Sequence, residues 1–213
     1  LADKASRHLQ RDYTKWLDRV IRDKFRATAN VTFPSGITQA SDFVVGGAQN
    51  ISLEHIYRAK EKLCGTREWQ KFGNGRVICL VPASFNVQML ADPDYRELSK
   101  NHQGDKNQLY GYIGSAQEID FFEVTTLAGY SDNGGDDTAS IASSNVGAGV
   151  RLEECLLFGP NSVGFGSGAN PEARFADDTN YGTVAKVIWY ALHGMELLDS
   201  RGVERVVYQG ADA

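Results

Sequence analysis

The sequence predicts an α+β fold, because a long amphipathic helix at the start of the chain precedes several segments with the composition of β-strands. Residues 2–29 carry apolar side chains at steps of three and four, which is the spacing of one helix face. The apolar run 76–81 and the valine-rich segment 202–208 favour strands. With 213 residues, 42% of them hydrophobic, the chain can form one large domain or two small ones.

Composition excludes several classes of protein. No apolar run approaches the roughly 18 to 20 residues of a membrane-spanning helix, so we expect no membrane partner. Three cysteines are too few and odd in number for a disulfide framework, and no signal-peptide pattern opens the chain, which favours reduced thiols. The chain begins with Leu1 instead of Met, so we expect it to be processed or part of a longer product.

Charge is unevenly distributed along the chain. The first thirty residues hold eight basic and four acidic side chains, a net +4, whereas the whole chain carries −5 and the remainder therefore −9. A basic first helix on an acidic body can attract phosphate or the acidic face of another subunit.

The elements can be assigned in order from the start of the chain. The first helix, of roughly 28 residues at 1.5 Å each, would be about 40 Å long. After a connection over residues 30–50, Ser52 can cap a second helix that we expect to end at Cys64, before Gly65. A strand over residues 76–81 ends at Pro82.

The second half of the chain is predicted to be mainly strands. A short helix over residues 83–90 closes at Asp92-Pro93-Asp94, and a polar stretch then leads to strands at 112–113 and 119–127. Residues 129–149 are almost entirely small and polar, which favours a long loop. Further strands are predicted over residues 151–158, 183–192 and 202–208. The glycine cluster Gly159, Gly164, Gly166 and Gly168 is interpreted as a loop.

The pattern Gly164-Phe165-Gly166-Ser167-Gly168-Ala169 formally fits a dinucleotide-binding fingerprint, which leaves a nucleotide-binding enzyme as one alternative. Such a site needs a helix directly after the glycines to face the pyrophosphate. Here Asn170-Pro171 follows, so the sequence favours a loop without catalytic function.

Other sequence patterns do not point to catalysis or to metal binding. Cys64, Cys79 and Cys155 lack metal-ligand spacing and are interpreted as structural thiols. The segment Asp132–Asp137 lacks the ligand spacing of a calcium loop. Glu153-Glu154 would point to opposite sides of a strand, which argues against a catalytic carboxylate pair. We therefore expect no enzyme activity, no cofactor and no metal.

The order of these elements resembles the major capsid protein family of tailed bacteriophages, whose fold is shared with encapsulins and the floor of herpesvirus capsids. The helix over residues 2–29 is similar to the family's spine helix, and Val77-Ile78-Cys79-Leu80-Val81-Pro82 is similar to its apolar strand ending in proline. Gly111-Tyr112-Ile113-Gly114 and Leu156-Leu157-Phe158-Gly159 follow in the same order. The resemblance covers nearly the whole chain and extends most to the branch related to coliphage N-four.

This resemblance implies a peripheral domain over residues 1–48 with the spine helix, an axial domain over 49–170, and return strands to the peripheral domain over 171–213. It implies copies assembled in pentamers and hexamers into an icosahedral shell around double-stranded DNA. Scaffold, portal and decoration proteins are candidate partners, and the location would be the virion capsid after assembly in the host cytoplasm. The family's N-terminal arm and extended loop, which precede the spine helix, do not appear in this sequence. An encapsulin-type nanocompartment shell is the second alternative.

Two groups of residues on the first helix are the candidate site. Basic residues expected to contact other subunits or DNA are Arg7, Arg11, Lys15, Arg19 and Arg22. Aromatic residues expected to fix the helix on the peripheral sheet are Tyr13, Trp16 and Phe25.

Overall fold

The computed structural model describes residues 2–44, 49–101, 111–124, 127, 152–175 and 187–210, which form a six-stranded sheet between helices and a separate two-stranded hairpin. The helices are α1 (Ala2–Arg26), α2 (Leu53–Lys60), α3 (Ser84–Met89) and α4 (Pro93–Asn101). The strands are β1 (Val31–Thr32), β2 (Val77–Val81), β3 (Tyr112–Ala116), β4 (Ile119–Glu123), β5 (Leu152–Phe158), β6 (Val163–Phe175), β7 (Val187–Leu197) and β8 (Val203–Gln209). This mixture of helices and sheet confirms the predicted α+β class. No helix within the described ranges has the length and apolar character needed to cross a bilayer.

The six-stranded sheet has the order β1-β8-β5-β2-β4-β3. The pairs β1/β8 and β2/β4 are parallel, and the pairs β8/β5, β5/β2 and β4/β3 are antiparallel. Every residue of β8 is buried, and in β5 only Phe158 is partly exposed. Both strands are therefore covered on both faces, although each also carries buried charged residues, Glu153 and Glu154 in β5 and Glu204 and Arg205 in β8.

Helices cover both faces of this sheet. On one face, Ile56 and Leu63 from the α2 region and Phe85 from α3 are buried against Cys79 and Leu157. On the other face, Phe25 at the end of α1 packs against Leu156 and Val203. Successive side chains along a strand point to opposite faces of the sheet, so the sheet has an apolar core on each face.

The second helix begins where the sequence predicts and ends later than predicted. The Ser52 N–H donates to Nδ1 of His55 at 3.1 Å, and α2 starts at Leu53. The helix does not stop before Gly65, because a π-helical segment, Glu61–Thr66, continues it past that residue. Leu63 is fully buried within this segment, so packing against the sheet favours the extra turn over the glycine stop signal.

A helix absent from the sequence prediction, α4, begins at the proline that was interpreted as a terminator. Proline is well suited to the first helical position, where no N–H partner is needed. Asp92 precedes it, and its Oδ1 accepts from the N–H of Asp94 at 3.0 Å. The same Asp-Pro-Asp sequence that closes α3 therefore also caps α4.

The glycine-rich segment is a strand, which corrects its interpretation as a loop or nucleotide-binding turn. β6 pairs with β7 in an antiparallel hairpin, with Gly166 opposite Gly194. A Cβ atom on Gly168 would lie 2.9 Å from Cδ2 of Leu192, so the strand is glycine-rich partly because side chains of β7 occupy that space. Strand β6 continues past the glycines to Phe175, so within this described segment a pyrophosphate would find no helix N-terminus.

Some predictions fall wholly or partly outside the described residues. They are the loop at 129–149 and the first part of the strand predicted at 183–192. The domain boundary expected after residue 170 lies inside β6. The first helix ends at Arg26, three residues earlier than predicted, and at 1.5 Å per residue is about 37 Å long.

A buried group of charges joins the end of α1 to the middle of the sheet. Glu154 of β5 is fully buried and accepts a hydrogen bond from Nε of Arg26. Its Oε2 accepts from Nη2 of Arg205 at 2.9 Å and from Nε at 3.1 Å. The neighbouring Glu153 points to the opposite face, where it accepts from Oγ of Ser84, as the strand assignment predicted.

Trp69 lies at the junction between the sheet and the hairpin. Its Nε1 donates to the carbonyl oxygen of Pro160 at 3.2 Å. Nearby, Oγ of Ser162 lies 2.7 Å from the Gly159 oxygen and 2.9 Å from the Gly202 oxygen. These contacts connect the end of β5, the start of β6 and the start of β8, and so fix the direction in which the hairpin leaves the sheet.

We predict that Glu154→Gln lowers the free energy of unfolding by about 3 kcal/mol, because it removes the carboxylate shared by two buried guanidinium groups. Urea unfolding followed by circular dichroism would measure this. The control, Glu172→Gln, removes half of an exposed pair with Arg174 and should cost less than about 1 kcal/mol. Equal costs for the two variants would contradict the structural role of Glu154.

We also predict that Gly202→Ala destabilises the chain by about 1–3 kcal/mol, as overpacking of a filled core does. A Cβ atom there would lie 2.5 Å from both Oγ of Ser162 and Cε2 of Trp69. The matched control is Gly73→Ala, where no atom lies within 4 Å of the new methyl group. Thermal unfolding should show a lower midpoint for Gly202→Ala only, together with changed Trp69 fluorescence.

Candidate functional site

The first helix and the hairpin pack together as two layers, which we call the helix–hairpin unit (α1, β6 and β7). The ring of Trp189 on β7 lies 5.3 Å from that of Tyr13 and 5.2 Å from that of Trp16, between ring centroids. Its Nε1 donates to Oδ2 of Asp12 at 3.0 Å. Three side chains of α1 thus contact Trp189, and these contacts hold β7 against the helix.

Further contacts fix the position of the hairpin along the helix. Tyr13 Oη and Nε2 of His193 form a hydrogen bond, and the ring of Phe165 on β6 lies 5.2 Å from that of His193. Closer to the sheet, Nζ of Lys24 pairs with Oε2 of Glu196 at 2.8 Å. These contacts span more than two helical turns, so the hairpin follows α1 over much of its length.

The three aromatic residues expected to fix the helix lie at two different surfaces. Tyr13 and Trp16 contact the hairpin, whereas Phe25 contacts Phe158 of the six-stranded sheet at 4.6 Å between ring centroids. The helix therefore uses one face for the hairpin and, in its last turn, a different face for the sheet. Trp189 and His193 complete the contact; neither was identified as a site residue from the sequence.

Four exposed basic residues form a line on the side of α1 that faces away from the hairpin, which we call the cationic stripe. Its members are Arg7, Arg11, Lys15 and Arg19. At about 100° per residue, successive members are about 40° apart, and the centre of the stripe lies roughly 150° around the helix from Tyr13 and Trp16. The stripe thus lies on one outer surface of the helix–hairpin unit.

Arg22 does not belong to this exposed surface. Only 7% of it is exposed, and its Nη2 lies 2.9 Å from Oδ1 of Asp23. The same helix face that is open at Arg11 reaches the sheet by Arg22 and Arg26, because α1 crosses onto the sheet in its last two turns. The expectation that Arg22 contacts another subunit or DNA is therefore corrected on grounds of burial.

The opposite outer surface of the helix–hairpin unit is apolar. Ile188, Tyr190 and Leu192 alternate along β7 and are 59%, 41% and 57% exposed; we call them the hairpin row. Arg174 lies over the ring of Tyr190, with its guanidinium carbon 4.1 Å from the ring centroid. Because the residues between them, such as Trp189, are also apolar, the sequence alone could not show which set faces α1.

A groove of about 390 Å³ opens between the helix and the far part of the hairpin. Its lining combines apolar and polar side chains, namely Leu9, Gln10, Tyr13, Thr14, Pro171, Glu172 and Trp189. A second groove of about 370 Å³ lies beside Trp69, where Arg67 is paired with Glu204 and Arg201 with Asp199. The cations of the second groove are therefore already neutralised within the chain.

The cysteines, histidines and acidic side chains of the described residues do not form a metal site. No group of three or more histidine, cysteine or acidic side chains within these ranges could hold a metal ion. Cys79 and Cys155 are buried, and burial raises the pKa of the Cys155 thiol well above its usual value, which keeps it protonated and unreactive. Cys64 is partly exposed, and burial likewise raises the pKa of its thiol.

Comparison of the sequence with known protein families and with curated proteins finds no match. Comparison of the structure does. The capsid asymmetric unit of cyanophage Pam1 matches with a TM-score of 0.66 at 12% identity, over 100% of this chain and 70% of that one. A structure of Mycobacterium phage Che8 matches with a TM-score of 0.61 at 14% identity, over 95% of this chain.

The capsid of Ralstonia phage GP4 also matches, with a TM-score of 0.60 at 12% identity over 87% of this chain. The chain spans 61% of the matched Che8 chain and 53% of the GP4 chain. Sequence identities this low leave the fold as the shared property. The matches cover both the six-stranded sheet and the helix–hairpin unit, and on this basis the chain has the α+β fold of tailed-phage capsid proteins.

Proposed function

We propose that this chain is a structural subunit of an icosahedral phage capsid, which assembles from copies of itself in pentamers and hexamers around double-stranded DNA. The observation that carries the proposal is the fold likeness to phage capsid structures over 87–100% of the chain in the three comparisons above. In this proposal the protein is located in the virion and does not act as an enzyme. Its assembly takes place in the host cytoplasm, with scaffold, portal and decoration proteins as further partners.

The predicted division of the chain fits this role as a proposal. Residues 1–48 and 171–213 would form the peripheral domain, with α1 as the spine, and residues 49–170 the axial domain. Membership of the branch related to coliphage N-four belongs to the same proposal. It rests on the order of the elements, because no sequence match supports it.

Surfaces of the described residues support self-assembly more than they support catalysis. A shell subunit must present different surfaces to its neighbours, since repeated head-to-tail contacts close into rings. The hairpin row places three large apolar side chains on one exposed face, and such faces mark sites of protein contact. We assign this face to contact with a second copy of the chain, because a shell surrounds each subunit with copies of itself.

The structure argues against the first alternative function, a nucleotide-binding enzyme, and does not separate the second, a nanocompartment shell, from a capsid. A nucleotide-binding enzyme would need the glycine segment to form a turn before a helix, and that segment lies in β6. A nanocompartment shell of the encapsulin type has the same fold and encloses protein cargo, so it differs from a capsid only in its contents. Nucleic-acid analysis of purified particles separates these two.

We predict that the purified chain forms closed particles, visible by negative-stain electron microscopy, and that Tyr190→Glu with Leu192→Glu reduces their yield at least tenfold. Charges placed on an apolar contact would remain buried without a partner in the shell. The control pair, Tyr190→Phe with Leu192→Met, keeps the face apolar and should assemble normally. Both pairs should unfold within a few degrees of the unmodified chain, since these side chains are exposed.

Nuclease-resistant double-stranded DNA in the particles would support the capsid role, and particles that hold only protein would instead indicate a nanocompartment. A chain that stays monomeric across salt concentrations and with scaffold protein added would contradict shell assembly altogether. If the glutamate pair forms normal particles, the proposal of shell assembly stands, but the hairpin row is not a contact between subunits.

A further inference from the structure

We propose that the cationic stripe of α1 binds the phosphate backbone of double-stranded DNA, and that it is not a contact between subunits. This inference rests on the proposed capsid function and assigns one partner to residues for which the sequence left two. It concerns Arg7, Arg11, Lys15 and Arg19, the four exposed members of the stripe.

Three cations of the stripe differ in pairing from the cations nearer the sheet. Lys24 is paired with Glu196, and Arg26 with the buried Glu154. Within the described part of the chain, no carboxylate forms an ion pair with Arg7, Arg11 or Lys15. The fold thus neutralises the cations near the sheet and leaves these three exposed to solvent without an ion-pair partner among the described residues.

Two acidic side chains lie on the same helix face as the stripe. Asp18 is exposed and lies three residues after Lys15 and seven after Arg11, and Asp12 is exposed and lies three residues before Lys15 and seven before Arg19. The face therefore carries four positive charges against two negative charges. It remains cationic on a chain whose overall net charge is −5.

The chemistry of this face fits phosphate better than protein. The centre of a protein interface is depleted of charged residues and needs apolar side chains. Trp16 is the one large apolar residue of α1 found exposed among its residues with described burial, at 37%, and it lies against Trp189 and not on the stripe. A line of guanidinium and ammonium groups without an apolar centre is typical of a surface that binds a polyanion by counterion release.

The length of the stripe also fits a DNA backbone. Members four residues apart are separated by about 6 Å along the axis, so the stripe is about 18 Å long from Arg7 to Arg19. One DNA strand carries a phosphate every 3.4 Å along the duplex axis, so about five phosphates lie within that length. Three or four contacts of this kind hold DNA without reading its sequence, which suits a protein that must accept a whole genome.

The position of the stripe separates DNA contact from protein contact. The stripe and the hairpin row lie on opposite outer surfaces of the helix–hairpin unit, so occupation of one does not block the other. A subunit in a shell one layer thick would accordingly turn α1 toward the enclosed DNA.

The test measures the salt dependence of DNA binding by the dispersed chain, at protein concentrations below those that form particles. Fluorescence anisotropy of a labelled 20-base-pair duplex would be recorded between 50 and 200 mM salt. With four phosphate contacts, the slope of log K against log salt should be about −3.6, an affinity loss of about 150-fold over this range.

The informative variant is Arg11→Gln with Lys15→Gln and Arg19→Gln, which leaves one member of the stripe. Its slope should fall to about −0.9, an affinity loss of about 3- to 4-fold over the same range. The matched control removes three exposed cations that are paired elsewhere, by Arg58→Gln, Lys71→Gln and Arg201→Gln. Both variants change the net charge equally, so the control should keep the full slope if the stripe is the binding surface.

Each other outcome overturns the inference in a recognisable way. Equal loss in both variants would show that binding follows net charge and not the stripe. Unchanged DNA binding by the stripe variant together with loss of particles would assign the stripe to subunit contacts. Particles that form normally from a wild-type chain with no measurable DNA affinity would reject the inference while leaving the shell function in place.

Discussion

The buried carboxylate of Glu154 holds the end of α1 on the sheet, and the positions of the candidate functional surfaces depend on this contact. It accepts hydrogen bonds from Arg26 at the end of α1 and from Arg205 in β8, so one side chain joins the helix to two central strands. Burial of three charges is costly unless each is paired, and the pairing therefore permits few alternative positions for the helix. Because α1 is held at its last turn, its remaining length of about 30 Å extends away from the sheet and carries the hairpin with it.

The hairpin supplies what a single extended helix lacks. An isolated helix would expose the ring of Trp16, and an isolated two-stranded hairpin is at best marginally stable in water. Packed together through Trp189, Tyr13 and His193, they bury one face of each and leave two chemically different outer surfaces. At the junction, Trp69 and Ser162 pack closely against Gly202, and Oγ of Ser162 donates to the Gly202 oxygen at 2.9 Å, which ties the start of the hairpin to the start of β8.

The two outer surfaces have different physical properties, and this difference suits a shell around DNA. An apolar face such as the hairpin row associates with protein in a manner largely independent of salt. A cationic surface such as the stripe would bind a polyanion by counterion release, with an affinity that falls as the salt concentration rises. In the proposed capsid, contact between copies and contact with nucleic acid would therefore respond differently to salt.

Local sequence patterns determined α1, the start of α2 at Ser52 and the strand over residues 77–81, because helix periodicity, capping and an apolar run each depend on residues within a few positions of one another. The tertiary structure decided which charges are buried and which glycines form a strand. Arg19 and Arg22 look alike in the sequence, yet only Arg22 lies where α1 crosses the sheet. The buried partner of Arg26, Glu154, is 128 residues away, and Gly166 pairs with Gly194 of the neighbouring strand. Such contacts form between segments that are distant in the sequence, and local periodicity does not specify which distant segments pack together.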